Sequence, residues 1–141
     1  MVTLPRAVYD AMLAHVRAGY PDEACGILAG DAPGGAITAH YPARNAAADV
    51  GDDPATFSII AGPDLLALIN AIDANDWVVF AYYHSHPRTP AYPSPRDIHY
   101  AGNWPGTYYL IFSLADLDRP ILRAFLVEDG AVREDGITIV D

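Results

Sequence analysis

Residues 77–97 read WVVFAYYHSHPRTPAYPSPRD and carry the most informative pattern of the chain. The first seven of them, 77–83, are apolar throughout and rich in aromatic and β-branched side chains, which predicts a central strand covered on both faces. Residues 84–93 contain three prolines and are expected to form a loop. Residues 94–97, Ser-Pro-Arg-Asp, are typical of the first turn of a helix, because serine caps helices and proline fits the first helical position. We therefore expect a buried strand, a loop and a short helix in succession.

Helical and strand patterns alternate on both sides of this stretch. An amphipathic helix is predicted from Pro5 to about Ala18, and a second helix begins at Pro63, followed by apolar residues at helical spacing. The runs that predict further strands are residues 23–29, 36–41, 57–60, 108–113, 121–127 and 137–140. At roughly 150 residues per domain, the 141 residues make one domain, 1–141. We therefore expect a single mixed α/β domain with a mixed β-sheet flanked by helices.

The composition excludes several classes of protein. Apolar residues make up 52% and charged residues 18% of the chain, which is not the composition of a disordered protein. The formal net charge is −10 and Lys and Arg form no cluster, so nucleic acid is not an expected partner. The N-terminus does not resemble a signal peptide, and no apolar run approaches the ~20 residues that span a bilayer. We therefore expect a cytoplasmic protein without a membrane segment.

The candidate site centres on His84 and His86. Residues two apart in an extended chain project to the same face, so both imidazoles can point at one spot just after the buried strand. Ser85 then points to the other face and is expected to orient the loop backbone. Neutral imidazole is the commonest protein ligand for zinc, and Asp97 could supply a carboxylate oxygen as the third ligand. Two histidines and one carboxylate leave a fourth position for water, which is the pattern of catalytic zinc sites.

Several of these residues also have a purely structural interpretation. A His-x-His pair can occur by chance, and lone histidines such as His15, His40 and His99 are usually hydrogen-bonded polar residues. Ser94 and Asp97 match a capping box, in which the serine simply caps the helix. A cap would also fix the helix end that presents Asp97, so the two interpretations are compatible. The spacing of these residues is by itself compatible both with a metal site and with a purely structural role.

Two further residues with chemical potential lie on the first predicted strand. Glu23 is by default a solvent-exposed carboxylate at a strand end. Cys25, the one cysteine, excludes a disulfide framework and is by default a small buried hydrophobic residue. A nucleophile paired with His84 or His86 is the alternative, but no neighbouring charge lowers its pKa. The zincin and nucleobase-deaminase signatures are both absent, which excludes those two classes of zinc enzyme.

Together, Glu23, the His-Ser-His triplet at 84–86, Ser94 and Asp97 resemble the motif of the JAMM (MPN-plus) zinc metalloproteases. That pattern is a glutamate, then His-Ser-His, seven residues, a serine, two residues and an aspartate. The flanking segments PDEACGILAG, 21–30, and AYPS, 91–94, are also similar to the family, the second to its bacterial branch. The resemblance covers essentially the whole chain. It implies a JAMM/MPN-type domain with cytidine-deaminase-like layering and a bound metal.

The resemblance also implies a role for each residue of the motif. His84, His86 and Asp97 would hold one Zn²⁺, with a bound water as the fourth ligand. Glu23 would orient and deprotonate that water and then pass the proton to the leaving amine. Ser94 would hydrogen-bond the oxyanion of the tetrahedral intermediate.

The chain is most similar to small bacterial JAMM members that process ubiquitin-fold sulfur-carrier proteins. The resemblance implies a peptidase or isopeptidase that cuts after the C-terminal Gly-Gly of such a carrier, for example releasing cysteine from a carrier–cysteine adduct during cysteine biosynthesis. Two alternatives of other kinds are a non-catalytic MPN scaffold and a zinc amidase for small peptides or peptidoglycan fragments. The carrier, the leaving group and the oligomeric state stay open, and a homodimer is one option.

The sequence is compatible with either a core or a cleft position for four aromatic residues: Tyr82, Tyr83, Tyr92 and Trp104. Of the first two, the one that faces away from the histidines is expected in the core, because neighbouring side chains of a strand point to opposite faces.

Overall fold

Eight strands and three helices follow one another in the computed structural model, which describes residues 1–141. The strands are β1 (Val2–Pro5), β2 (Cys25–Gly30), β3 (Ile37–Ala43), β4 (Val78–His86), β5 (Tyr108–Ser113), β6 (Ile121–Glu128), β7 (Ala131–Asp135) and β8 (Ile137–Val140). The helices are α1 (Arg6–Gly19), α2 (Gly62–Ala74) and α3 (Pro95–Ala101). This element order confirms the predicted mixed α/β fold. No helix is long and apolar enough to cross a bilayer.

Six of the strands form the main sheet, in the order β3-β2-β4-β5-β6-β7. Strands β4 and β5 run parallel, and every other neighbouring pair runs antiparallel, so the sheet is mixed as predicted. Strand β4 lies inside this sheet. Tyr82 packs in the hydrophobic cluster on one face and Tyr83 in the cluster on the other, which confirms a central strand covered on both faces. Strands β1 and β8 form a separate parallel pair.

Each face of the sheet is covered by different elements. Helix α1 contributes Val8, Met12 and Val16 to the cluster around Tyr83, together with residues of β1. Helices α2 and α3 pack on the opposite face, in the cluster that contains Tyr82. Because side chains alternate along a strand, the two histidines at the end of β4 share the face of Tyr82. The candidate site therefore faces α2 and α3.

The prediction of a strand over residues 57–60 is wrong. This segment is a loop, because its backbone carbonyls bond with residues 45 and 46, just after β3, rather than with a neighbouring strand. Asn45 Nδ2 donates to the Phe57 carbonyl at 2.9 Å, and the Ala46 N–H donates to the Ile59 carbonyl at 2.9 Å. The apolar residues of the segment still reach the core, since Ile60 is buried. The apolar residues of this segment predicted its burial correctly but its secondary structure incorrectly.

Other strands also differ from the sequence predictions. Strand β4 continues through His86, so the two histidines belong to the strand and not to the following loop. Parallel pairing with β5 extends that far, His86 lying opposite Ser113. Strands β1 and β7 were not predicted. They are four and five residues long and acquire regular structure only through their partners, β8 and β6.

His15 and His40 are satisfied by hydrogen bonds on the α1 side of the sheet, as predicted. His15 Nε2 lies 3.1 Å from the Cys25 carbonyl, and His40 Nε2 lies 2.6 Å from the Tyr83 hydroxyl. Burial, and then the neighbouring His15, lower the pKa of His40 from 6.5 to about 4. Between about pH 4 and pH 6.5, His40 is therefore neutral in the folded protein but protonated in the unfolded chain.

This shifted pKa predicts acid sensitivity. The unfolded chain takes up the proton near pH 6.5 and folded His40 only near pH 4, so its stabilising contribution is present above about pH 6.5 and is lost as the pH falls toward 4. His40→Gln keeps a hydrogen-bonding group for Tyr83 but removes the titrating imidazole. Between pH 7 and pH 4.5, we expect the Tm of this variant to fall by roughly 5 °C less than the Tm of the unsubstituted protein. Thermal unfolding monitored by circular dichroism measures this difference. His99→Gln, at an exposed histidine, is the control. Parallel Tm curves for His40→Gln and the unsubstituted protein would contradict the prediction.

Candidate metal centre

Three side chains converge where β4 ends and α3 begins. His84 Nε2 lies 3.1 Å from His86 Nε2 and 3.2 Å from Asp97 Oδ2, and His86 Nε2 lies 3.1 Å from the same oxygen. Both imidazoles are buried and the carboxylate is half-buried. Each residue offers one ligand atom, so the cluster could hold a metal ion. The structure brings together the three ligands proposed from the sequence.

The helix cap fixes the position of the Asp97 carboxylate. The Asp97 N–H donates to Ser94 Oγ at 3.1 Å, and the Ser94 N–H donates to Asp97 Oδ2 at 2.9 Å. These two bonds form the capping box predicted from the Ser-x-x-Asp pattern, with Pro95 in the first helical turn. The oxygen that closes the cap is also the one that faces the histidines. Capping and metal ligation are therefore compatible here.

The geometry and the donor set fit a tetrahedral divalent metal. His86 Nδ1 lies 2.9 Å from the Pro90 carbonyl, which can only accept, so Nδ1 carries the proton and the Nε2 lone pair faces the cluster. A tetrahedral Zn²⁺ with bonds of about 2.0–2.1 Å separates its ligand atoms by about 3.3 Å, close to the separations observed. His84 Nδ1 is buried without a hydrogen-bond partner. A metal bond at Nε2 would offset the cost of burying that ring.

The local electrostatics also suit a cation. Burial alone would raise the pKa of Asp97, but hydrogen bonds with His84 and His86 hold that pKa well below its usual range. The carboxylate therefore stays ionised at neutral pH. Burial would lower the pKa of His86, but Asp97 reverses this and raises it. Because the pKa of His86 is raised, protons compete with a metal for this imidazole.

Glu23 lies beside the cluster without being one of its ligands. It lies two residues before Cys25, the first residue of β2, so the predicted strand begins after Glu23 rather than at it. The pairing of β2 with β4 places Cys25 opposite His84. Its side chain is not the exposed carboxylate that the structural interpretation expected, since Glu23 is only 6% exposed. Burial raises its pKa, and the charges of His84 and His86 oppose that rise. The result is a buried carboxyl group poised next to three potential metal ligands.

Ser85 and Cys25 have structural roles on the backbone that carries Glu23. Ser85 Oγ accepts the N–H of Ala24 at 2.9 Å, so this serine holds the backbone that leads into β2 and not, as predicted, that of the loop after β4. Cys25 is fully buried, and burial raises the pKa of its thiol to about 12. A thiol that stays protonated at neutral pH is a poor nucleophile, so packing is its role.

A largely apolar cleft of about 460 Å³ adjoins the cluster, with Asp97 in its wall. Tyr82 and Trp104 line this cleft, whereas Tyr83 is fully buried in the core on the other face, as expected for the tyrosine that faces away from the histidines. Tyr92 is 52% exposed and packs edge-on against Phe125 at 5.5 Å between ring centroids.

The sequence pattern of the family described as "Prokaryotic homologs of the JAB domain" matches residues 5–125. This chain belongs to that family. The chain is 36% identical over 132 residues to the CysO-cysteine peptidase of Mycobacterium tuberculosis, covering 94% of this chain and 86% of that protein. It is 35% identical over 108 residues to the desampylase of Haloferax volcanii, covering 74% of each chain. These relatives support a JAMM-type hydrolase.

Two solved structures share the fold over the whole chain. A protein from Desulfitobacterium hafniense, determined in solution, has a TM-score of 0.87 at 34% identity and covers 100% of this chain and 94% of its own. A structure described as a JAMM metalloprotease-like zinc site in the proteasome and signalosome has a TM-score of 0.62 at 17% identity, covering 100% and 99%. The second likeness concerns the fold alone. Together they establish a JAMM/MPN-type architecture for this JAB domain.

Two polar residues near the site of this JAB domain carry no sequence signal. Asn45 Nδ2 donates to the Glu23 carbonyl at 2.9 Å and to the Phe57 carbonyl at 2.9 Å. Ser58 lines the cleft, and its Oγ lies 3.1 Å from the Tyr82 hydroxyl. Neither residue belongs to a motif, and each is remote in sequence from the histidines. Only the folded chain reveals their proximity to Glu23.

Proposed function

We propose that this JAB domain is a zinc-dependent peptidase that cleaves the amide bond after the C-terminal Gly-Gly of a ubiquitin-like sulfur-carrier protein. The observation that carries the proposal is the convergence of three ligand atoms within 3.1–3.2 Å of one another, beside a buried carboxylate that is not one of them. A structural metal site would use a fourth protein ligand. This site leaves that position to water or substrate, as catalytic zinc sites do.

The residues of the site would divide the chemistry as follows. When bound by His84, His86 and Asp97, Zn²⁺ would lower the pKa of a water molecule and polarise the scissile carbonyl. The Glu23 carboxylate would accept a proton from the attacking water and deliver it to the leaving amine. Ser94 Oγ already accepts the Asp97 N–H, so its own proton is free to be donated to the oxyanion that forms at the scissile carbonyl.

The access route favours a slender substrate tail. His86 and Glu23 are 5% and 6% exposed, so only a chain without bulky side chains can reach the depth at which these groups lie. Glycine meets that requirement, because its backbone approaches other groups closely. The apolar cleft beside Asp97 would take the less polar residues that precede the glycines. The names of the two relatives, a CysO-cysteine peptidase and a desampylase, support a protein conjugate as the substrate class.

Metal content and hydrolysis, measured on one preparation, test the proposal. The protein is purified without added metal, zinc per chain is quantified, and a small ubiquitin-like carrier with a cysteine after Gly-Gly is added with or without chelator. We expect about one zinc per chain and chelator-sensitive release of cysteine. One zinc per chain without release of cysteine would indicate that the enzyme cleaves another amide, such as a lysine isopeptide. No zinc, even after adding it back, would overturn the catalytic proposal in favour of a scaffold.

A further inference from the structure

Strands β4 and β5 each carry two tyrosines, and one of the four hydroxyl groups has no hydrogen-bond partner in the chain. The bonded pairs are Tyr82 with Ser58, Tyr83 with His40, and Tyr108 with Asp135. The unpartnered hydroxyl belongs to Tyr109, although this residue is only 3% exposed. A polar group on an almost fully buried side chain therefore lacks a partner within the protein.

This hydroxyl opens into the apolar cleft. The Tyr109 side chain lines that cleft, as does Asp97. His84 Nδ1 is the one side-chain nitrogen or oxygen that is enclosed on all sides without a partner, so the Tyr109 hydroxyl keeps access to open space. Since the rest of the residue is buried, its hydroxyl is the polar group that a molecule in the cleft would meet.

Neighbouring rings hold Tyr109 in place. It lies opposite Tyr82 across the parallel strands β4 and β5, at the middle of the sheet, and the two ring centroids are 5.4 Å apart. The His84 ring meets it edge-on, at 6.3 Å between centroids. Because the ring is packed against these neighbours, its hydroxyl is a preorganised donor that loses little conformational freedom when it binds. The same packing places it next to a candidate metal ligand.

The chemistry of the cleft indicates which group this hydroxyl would bind. A tyrosine hydroxyl keeps its proton at neutral pH and can donate it. No arginine or lysine lines the cleft, so no side chain there would pair with a carboxylate or a phosphate. A neutral acceptor on a largely apolar ligand fits better. Each residue of an extended peptide presents such an acceptor in its backbone carbonyl.

We propose that Tyr109 is a substrate-binding residue that donates a hydrogen bond to a backbone carbonyl of the carrier tail that precedes Gly-Gly. The identity of this tail rests on the proposed function, which places the residues before the glycines in the same cleft. A carbonyl that enters an apolar cleft loses its hydrogen bonds to water, and leaving it unpaired is costly. Tyr109 supplies a replacement at the one point of the wall where a buried hydroxyl is free.

Binding of a tail peptide gives the first test and needs no turnover. The probe is acetyl-Leu-Val-Leu-Gly-Gly, added to the zinc-loaded protein and followed by calorimetric titration. Tyr109→Phe keeps the ring and removes the hydroxyl, and we expect it to weaken binding about 3- to 10-fold, the effect of one hydrogen bond between neutral groups. Its Tm should not change, because the hydroxyl has no partner in the chain.

Tyr108→Phe is the matched control for this binding experiment. Tyr108 is the preceding residue of β5, packs on the other face of the sheet and donates to Asp135. The variant should bind the peptide as tightly as the unsubstituted protein does. Equal affinities for Tyr109→Phe and the unsubstituted protein would overturn the proposal.

A series of ester-containing peptides identifies the carbonyl that Tyr109 binds. Replacing one amide of the probe by an ester makes its carbonyl a weaker acceptor without changing the side chains. One ester should weaken binding to the unsubstituted protein more than to Tyr109→Phe, whereas each of the others should have the same effect on both. Additive effects at every position would show that the hydroxyl does not bond to the tail, and would overturn the proposal.

Kinetics on the carrier–cysteine substrate give a further readout. The hydrogen bond is present before and during the reaction, so Tyr109→Phe should raise KM about 3- to 10-fold, with kcat within about twofold and zinc content unchanged. An unchanged KM in a variant that still releases cysteine overturns the role of Tyr109 and leaves the proposed function standing.

The binding and kinetic readouts separate the two proposals. A protein that releases no cysteine, yet binds the peptide less tightly after Tyr109→Phe, contradicts the proposed function and supports the role of Tyr109. A protein that does not bind the peptide overturns that role, whatever its activity.

Discussion

His84→Ala is expected to lose both zinc binding and turnover. The substitution removes one of three ligand atoms and leaves a nitrogen and an oxygen, too few to hold zinc in a tetrahedral site. It also removes a hydrogen-bond partner of Asp97, which lies 3.2 Å away and is held in its ionised form partly by this imidazole. Loss of a residue that only hydrogen-bonds to a metal ligand lowers metal affinity by up to roughly 100-fold. Because His84 is itself a proposed ligand, we expect a larger decrease. Zinc quantified per chain after dialysis, together with release of the carrier's leaving group, measures the effect.

His99→Ala is the matched control, because His99 is an exposed histidine on α3 close in sequence to Asp97. It should retain about one zinc per chain and full turnover. A Tm measured for both variants in chelator shows whether folding survives the substitution. Full zinc occupancy in a folded His84→Ala protein would contradict the ligand assignment.

Glu23→Gln is expected to keep zinc and lose turnover. Glutamine has almost the shape of glutamate and keeps one carbonyl oxygen as an acceptor, so the site should remain assembled. The neutral amide cannot take a proton from water or return one to the leaving amine. Loss of a general base reduces rates by about 10²–10⁴-fold, and we expect kcat to fall in that range at unchanged zinc content. Steady-state kinetics with the carrier–cysteine substrate provide the measurement.

Glu128→Gln is the control for charge, since Glu128 is an exposed glutamate at the end of β6. It should leave kcat unaltered. Normal turnover in Glu23→Gln would remove Glu23 from the role of base. Loss of zinc from that variant would instead make the carboxylate a ligand and contradict the division between ligands and base.

Considered together, the two substitutions distinguish binding from chemistry. His84 and Glu23 both lie buried at the junction of β2 and β4, so each substitution perturbs the same small volume of the core. Only the proposed division of roles predicts that one loses metal and the other keeps it. A scaffold without catalysis would show no turnover in any variant, including the unsubstituted protein.

The local parts of the site could be predicted because they depend on neighbours in the chain. Alternation along an extended backbone placed His84 and His86 on one face, with Ser85 on the other. A serine three residues before an aspartate predicted the capping box that orients Asp97. The apolar run before the histidines predicted a strand buried on both faces. Each of these inferences needs only a few consecutive residues.

The other parts depend on contacts between distant segments, which no local pattern encodes. The pairing of Val2 with Ile137 joins the two ends of the chain, and Asn45 brings residues 54–59 against Glu23. These contacts hold the 54–59 loop against the backbone of Glu23, which is buried rather than exposed. The candidate ligands, their spacing and the mixed α/β class can be read from the order of residues alone. The buried groups that surround those ligands follow from folding, because burial and long-range hydrogen bonds arise when the sheet, the helices and the loop pack together.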